Sequence, residues 1–108
     1  MNAIYNVGVC LSKGMGVEKD LKKAHLNFFK AALLGHSKAA FECGLNYYFG
    51  EGVEKDVKKG VEFLGRASQA DIAEADHLLA KIYAKGEGVE ADQKKAKIHL
   101  EKYFKLKK

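Results

Sequence analysis

Few residues in this chain could do chemistry, and their spacing does not assemble them. Histidines stand at 25, 36, 77 and 99, and cysteines at 10 and 43. No two histidines share the short helical spacing of a metal site, so neither a metal nor a cofactor is expected. No Ser/His/Asp or Cys/His setting is legible, and the histidines read as surface or core-edge residues. Three Gly-x-Gly pairs invite a phosphate-binding reading. The first, Gly14-Met15-Gly16-Val17-Glu18-Lys19, lacks a third glycine and follows a helical stretch rather than a strand. No Lys-Ser or Lys-Thr follows any of the pairs. The glycines therefore read as turn residues, and the chain reads as a protein that is not an enzyme.

Composition narrows the partner class. The net charge of +5 is carried by 18 Lys and a single Arg. Arginine suits bidentate phosphate recognition, whereas lysine is a hydrated point charge, so nucleic acid is not the expected partner. No apolar run approaches the length of a membrane span. The N-terminus lacks a signal-peptide layout, and the cytoplasm is the expected location, with the periplasm or secretory route as alternatives had a leader been removed. Two cysteines do not make a disulfide framework. Proline is absent, so nothing interrupts long helices.

The elements that would position these residues repeat. Gly14-Met15-Gly16-Val17-Glu18-Lys19-Asp20 recurs as Gly50-Glu51-Gly52-Val53-Glu54-Lys55-Asp56 and as Gly86-Glu87-Gly88-Val89-Glu90-Ala91-Asp92, each copy shifted by 36 residues. Such a period marks a stack of supersecondary units. First helices are expected over 3–13, 39–49 and 75–85, with inward stripes Val7, Gly8, Leu11; Cys43, Gly44, Tyr47; and Leu79, Ala80, Tyr83. Glycine or alanine at 8, 44 and 80 suggests two helices in close approach. Gly14, Gly50 and Gly86 should end these helices in a left-handed residue. Gly16, Gly52 and Gly88 suit a further positive-φ position, while Val17, Val53 and Val89 plug the turn into the core. Asp20, Asp56 and Asp92 sit where a helix N-cap belongs.

Second helices are expected over 21–34, 57–70 and 93–106. Their inner faces read Leu21, Ala24, Phe28, Ala31, Ala32; Val57, Gly60, Val61, Leu64, Ala67; and Ala96, Leu100, Tyr103, Phe104. Tyr103-Phe104 replaces the small pair of the sister repeats and reads as a cover for the stack end, with Lys105, Lys107 and Lys108 flanking the exit. Linkers at 35–37 and 71–73 are too short for anything but antiparallel neighbours. The whole, 1–108, reads as one domain with repeats at about 3–38, 39–74 and 75–108.

In the second copy the pattern Ala39, Phe41, Cys43-Gly44, Tyr47, Gly50-x-Gly52-Val53, Asp56, Ala67, Ser68 resembles the Sel1-like repeat family, relatives of the tetratricopeptide repeats. Departures from that pattern are Cys43 for Leu, Gly60 for Ala and Asp71 for Gly. In the third copy they are His77 for an aromatic, Ala80 for Gly and Tyr103-Phe104 for the Ala pair. The resemblance implies an all-α, right-handed α-solenoid of three helix-turn-helix repeats with its first helices lining a concave surface. It implies a non-catalytic role in protein–protein interaction, as adaptor or scaffold. An immunity protein that neutralises a bacterial effector is the alternative. A hydrolase of the penicillin-binding type ranks lower, because cysteine-rich members carry a Cys pair in each repeat and this chain does not. A self-assembling structural stack also ranks lower.

On that reading the groove displays the columns Asn2, Lys38, Glu74; Asn6, Glu42, Leu78; Val9, Leu45, Lys81; Cys10, Asn46, Ile82; and Lys13, Phe49, Lys85. The expected contact set is Asn6, Cys10, Glu42, Leu45, Asn46, Phe49, Leu78, Lys81, Ile82 and Lys85, apolar anchors within a polar rim. The expected partner is another protein or peptide, bound to a monomer that associates with itself weakly at most. Cys43 reads as a buried apolar group and Cys10 as more accessible, their offset of 33 residues placing them out of register for a disulfide. Lysine pairs at 22–23, 58–59 and 94–95 read as a hydrated outer face.

Overall fold

The structure, a computed structural model, describes residues 2–107. Among them six helices follow in order: α1 (Asn2–Lys13), α2 (Leu21–Leu33), α3 (Ser37–Phe49), α4 (Val57–Gln69), α5 (Ala73–Lys85) and α6 (Gln93–Leu106). Each helix packs on the next in the chain, giving a stack of three hairpins measuring 42 × 29 × 21 Å. Among the described residues no helix is long and apolar enough to cross a membrane. The architecture is an all-α solenoid.

The hairpin turn is built the same way three times. Asp20, Asp56 and Asp92 each accept, through Oδ1, the backbone N–H of Lys23, Lys59 and Lys95 at 3.1, 3.2 and 3.0 Å. Their own N–H groups donate back to the carbonyls of Leu11, Tyr47 and Tyr83, closing the loop. Gly50 and Gly86 end α3 and α5 in the left-handed region. The second linker bends at Asp71, whose φ of 61° places an Asp where Gly35 stands in the first. A short polar side chain is among the few besides glycine to tolerate that region.

Within a hairpin the helices touch backbone to backbone. A Cβ on Gly44 would lie 2.6 Å from Leu64 Cγ and 3.1 Å from the Gly60 carbonyl oxygen, and one on Gly60 would lie 3.0 Å from that of Gly44. The core above them is small-residue and aromatic. Ala24, Phe28, Ala31, Ala39, Ala40, Cys43, Tyr47 and Phe63 form one buried cluster. Leu64, Ala67, Ala75, Leu79 and Ile82 form another. Tyr47 stacks on Phe63 with ring centroids 5.8 Å apart and meets the His25 ring edge-on at 4.9 Å. The lysine face also has a packing role, since Lys59 and Lys95 reach over the Tyr47 and Tyr83 rings at 5.6 and 5.2 Å.

Several expected core residues are exposed, Val7 and Val17 for one reason. The first helix and turn of a repeat pack on the repeat before it, so the first repeat's copies of those contacts are uncovered. Val53 and Val89 tuck against the core, but Val17 is exposed; Cys43 and Leu79 are buried, but Val7 is exposed. Leu21 and Leu100, at the open edges of α2 and α6, are also exposed. Phe104 is 61% exposed and does not cover the stack end; Tyr103 instead packs on His77 at 4.7 Å. Lys107 bonds Glu74 at 2.9 Å, tying α6 to α5, while Lys108 lies outside the described residues.

Gly52 and Gly16 separate the junction from the turn. Both have φ of +74°, yet a Cβ on Gly52 would overlap the Leu21 carbonyl, whereas one on Gly16 would meet nothing within 4 Å. Gly16→Ala should cost about 1 kcal/mol of left-handed strain. Gly52→Ala should cost about 1–3 kcal/mol more, through overpacking against the preceding repeat. Urea unfolding of the two variants measures the difference; equal losses would contradict the junction contact.

Candidate protein-binding surface

Side chains on the first helices away from the core divide by neighbour. Asn6, Phe49, Lys81 and Lys85 are exposed, and Cys10, Glu42, Leu45, Asn46 and Leu78 are half-buried. Ile82 is 1% exposed, closed in against Leu64 and Leu79, and leaves the surface set. Its column faces the preceding repeat: Asn46, the equivalent residue of α3, donates from Nδ2 to His25 Nδ1 at 3.1 Å. Leu78 likewise packs on the second core cluster. Phe49 is 58% exposed, its ring held edge-on to Tyr48 at 4.9 Å.

Glu42 sits between two shallow clefts. One, of about 400 Å3, runs past Tyr5, Lys38, Phe41, Ile72 and Glu74; the other, of about 360 Å3, past Ser12, Phe28, Asn46 and Glu51. Burial pushes the Glu42 carboxyl above the usual carboxylate range, opposed by the Lys13 charge and reinforced by that of Glu51. The carboxylate is therefore incompletely solvated, and among the described residues no ammonium or guanidinium lies within ion-pair distance of it. The Tyr5 ring stacks on His36 at 4.4 Å at one edge of this surface.

Both thiols are free; Cys43 is buried, and desolvation first, then the Glu42 charge, pushes it up to about 12. A thiol so placed is inert at neutral pH.

One cluster has no counterpart in the sequence reading. Fully buried Asp76 receives the Ser68 hydroxyl at 2.6 Å and meets His99 Nδ1 at 2.8 Å, both at Oδ1. Lys102 Nζ donates to the Ser68 carbonyl and to Ser68 Oγ, and lies 3.4 Å from Asp71 Oδ1. The serine bonds the carboxylate rather than the imidazole, so no base is aimed at a nucleophile. The arrangement clamps α6 onto α4 and α5. A signal for it was present: Asp76 stands in register with Ile4 and Ala40, and Ser68 with Ala32 and Phe104, polar groups in columns that are apolar in the sister repeats.

The sequence profile of the Sel1 repeat matches residues 2–36, 37–72 and 73–102. The chain belongs to the Sel1 repeat family. Proteins of this family generally serve as non-catalytic scaffolds for protein–protein interaction. The crystal structure of a Sel1 repeat protein from Oxalobacter formigenes is similar at 28% identity and a TM-score of 0.91 over 97% of this chain. That of c5321, a protective antigen present in uropathogenic Escherichia coli strains displaying an SLR fold, is similar at 28% identity and 0.93 over 96%. The chain spans 42% and 22% of those two proteins, less than half of either. No curated protein matches the sequence.

The junction between the first two Sel1 repeats carries a pH dependence. Burial lowers the pKa of His25, and burial followed by the Lys38 charge lowers that of His36, whose Nδ1 caps α3 by accepting the Ala39 N–H at 3.1 Å. Both rings stay neutral in the folded chain when the unfolded chain begins to take up protons, near the ordinary value of 6.5. The unfolded state then binds more protons, so stability is full above that value and falls as pH drops through it. Glu42, raised, acts in the opposite sense, its penalty relieved only as pH falls through its own folded value. The urea midpoint should therefore fall between pH 7.5 and about 6. The fall should shrink in His25→Gln, and a midpoint flat across that range would contradict the neutral, buried His25.

Proposed function

We propose that this Sel1 repeat stack is a non-catalytic adaptor that binds a segment of another protein along the open side of α1, α3 and α5. The observation that carries this reading is Phe49, a large apolar ring left more than half exposed. It is fixed by Tyr48 and lies on the same helix side as half-buried Leu45 and Glu42. Rigid exposed aromatics within a polar rim are favoured binding anchors. Asn6, Lys81 and Lys85 supply the rim. Glu42 supplies an incompletely solvated negative charge that a lysine or arginine of the partner would satisfy. Ile82 takes no part, and Asn46 lies at the margin facing the preceding repeat, with half-buried Cys10 its equivalent on α1. Because the helices are already packed, association orders few protein side chains and the ordering cost stays small.

The test is capture of partners from the source cells by immobilised protein, compared across variants. Wild type and an outer-face control, Leu26→Ala, should retain one common partner. Phe49→Ala should weaken it by at least tenfold, the about 1.4 kcal/mol that a modest hot spot carries, and Glu42→Lys should abolish it. Equal capture by Phe49→Ala and wild type, with both folded, would contradict the assignment.

A further inference from the structure

Charge is divided unevenly between the helices. The second helices, α2, α4 and α6, carry eleven Lys and Arg against two Glu, whereas the rest of the chain carries eight cationic residues against twelve acidic ones. The repeat sets the cations in columns: Lys22, Lys58, Lys94; Lys23, Lys59, Lys95; and Lys30, Arg66, Lys102. Helical spacing keeps the three columns on one side of each helix. In the middle repeat, which has a hairpin packed on either side, Lys58, Lys59, Glu62, Arg66, Gln69 and Ala70 are all exposed. The face is therefore open by its direction, not because a neighbour is missing.

Its lysines stand where a helix least favours them. The first turn of a helix carries the positive end of the backbone dipole, which favours acidic side chains. The first turns of α2, α4 and α6 each hold a lysine pair and no acid. Lys59 and Lys95 find the Tyr47 and Tyr83 rings in compensation. Lys22, Lys58 and Lys94 are exposed, and among the described residues none of them has a carboxylate within ion-pair distance. A local choice that opposes folding in all three copies points to a role outside folding. Solubility does not require that place, since the same charge further along the helix would serve it equally.

Two features select the partner. All the cations of these helices but Arg66 are lysines, point charges without the planar fork that fits a fixed phosphate or carboxylate. They suit a fluid sheet of anionic headgroups that rearranges around them. At the far end of α2, Leu33 and Leu34 are 60% and 61% exposed, three turns on from Lys22 and Lys23 and so on the same side. Lysines with exposed leucines beside them make up a helix face that lies at a lipid interface. From the segregated charge, the lysines set against the helix dipole and the adjoining leucines, we infer that the outer face of α2, α4 and α6 docks on an anionic lipid bilayer. Binding is peripheral. The ammonium groups sit among the headgroups, the two leucines enter the acyl boundary, and the first helices stay clear of the bilayer. This inference does not rest on the protein-binding reading above.

The test is co-sedimentation of the full chain with vesicles of phosphatidylcholine containing about 30% phosphatidylglycerol, and with vesicles of phosphatidylcholine alone. The protein should bind the anionic vesicles and not the neutral ones, and should lose at least about tenfold in affinity between about 0.1 and about 0.5 M salt. Lys22→Glu, Lys58→Glu and Lys94→Glu together should weaken binding at least about a hundredfold. Their urea midpoint should not fall, because glutamate suits a first turn. Lys19→Glu, Lys38→Glu and Lys55→Glu together change the net charge equally, at two turns and the start of α3, and should lose at most about tenfold. Leu33→Gln with Leu34→Ala copies Gln69 and Ala70 of the middle repeat, and should weaken binding about tenfold with the salt dependence unchanged. No binding to anionic vesicles, equal binding to neutral ones, equal losses in the two lysine sets, or an unchanged leucine variant would overturn the inference. So would RNA or polyglutamate that strips the protein from the vesicles at equal charge concentration, which would make a soluble polyanion the occupant.

Discussion

Everything in this fold depends on how closely one helical hairpin can approach the next. A Sel1 hairpin is too small to bury its own apolar faces, and its stability comes from laying its first helix and turn on the hairpin before it. That contact requires atoms to be missing at defined places. Gly52 rests on the Leu21 carbonyl, and Gly88 would meet the Val57 side chain if it carried a Cβ, while Gly44 lets the Gly60 backbone come near within its own hairpin. With those positions empty, Leu64, Leu79 and Ile82 become fully buried, each contributing about 1.5–3 kcal/mol relative to exposure.

The same constraint determines what is left for function. A packed first helix has one side on its hairpin partner, one on the preceding repeat and one on the following repeat. Only the remaining side faces solvent, and there Phe49, Glu42 and the lysines of α5 are displayed. Where no following hairpin is described, the α5–α6 groove is open, with Lys81 and Lys97 beside Ala80, Ala96 and Leu100. The final helix buries a single residue, Ala96. It is held instead by polar contacts from Asp76 to His99 and from Lys102 to Ser68, with Lys107 on Glu74 at its end. Apolar burial secures the middle of the stack, and hydrogen bonds secure its last element.

Helices, turns and caps were legible because each is a local matter of spacing, glycine and a capping aspartate, repeated three times. The observed first helices begin one or two residues before the expected starts, and the second helices end within one residue of theirs. What a side chain touches was less legible. A 36-residue period assigns Val7, Cys43 and Leu79 to one column, yet Val7 is exposed because burial there depends on the hairpin before it. Ile82 was read as a groove residue because helical spacing gives a direction, not the neighbour found in that direction. The Ser68–Asp76–His99 cluster spans three helices and could be seen only by comparing columns across repeats.

Native-state hydrogen exchange tests the account most directly, because it resolves which helices depend on which neighbours. If burial between hairpins holds the stack, amides of Cys43, Gly44, Tyr47 and Leu64 should exchange most slowly, at the free energy of global unfolding. Those of α1 and α6 should exchange faster, in that order of position rather than of helix propensity. Amides of α1 or α6 as slow as those of α3, or hairpins that open independently of one another, would contradict it.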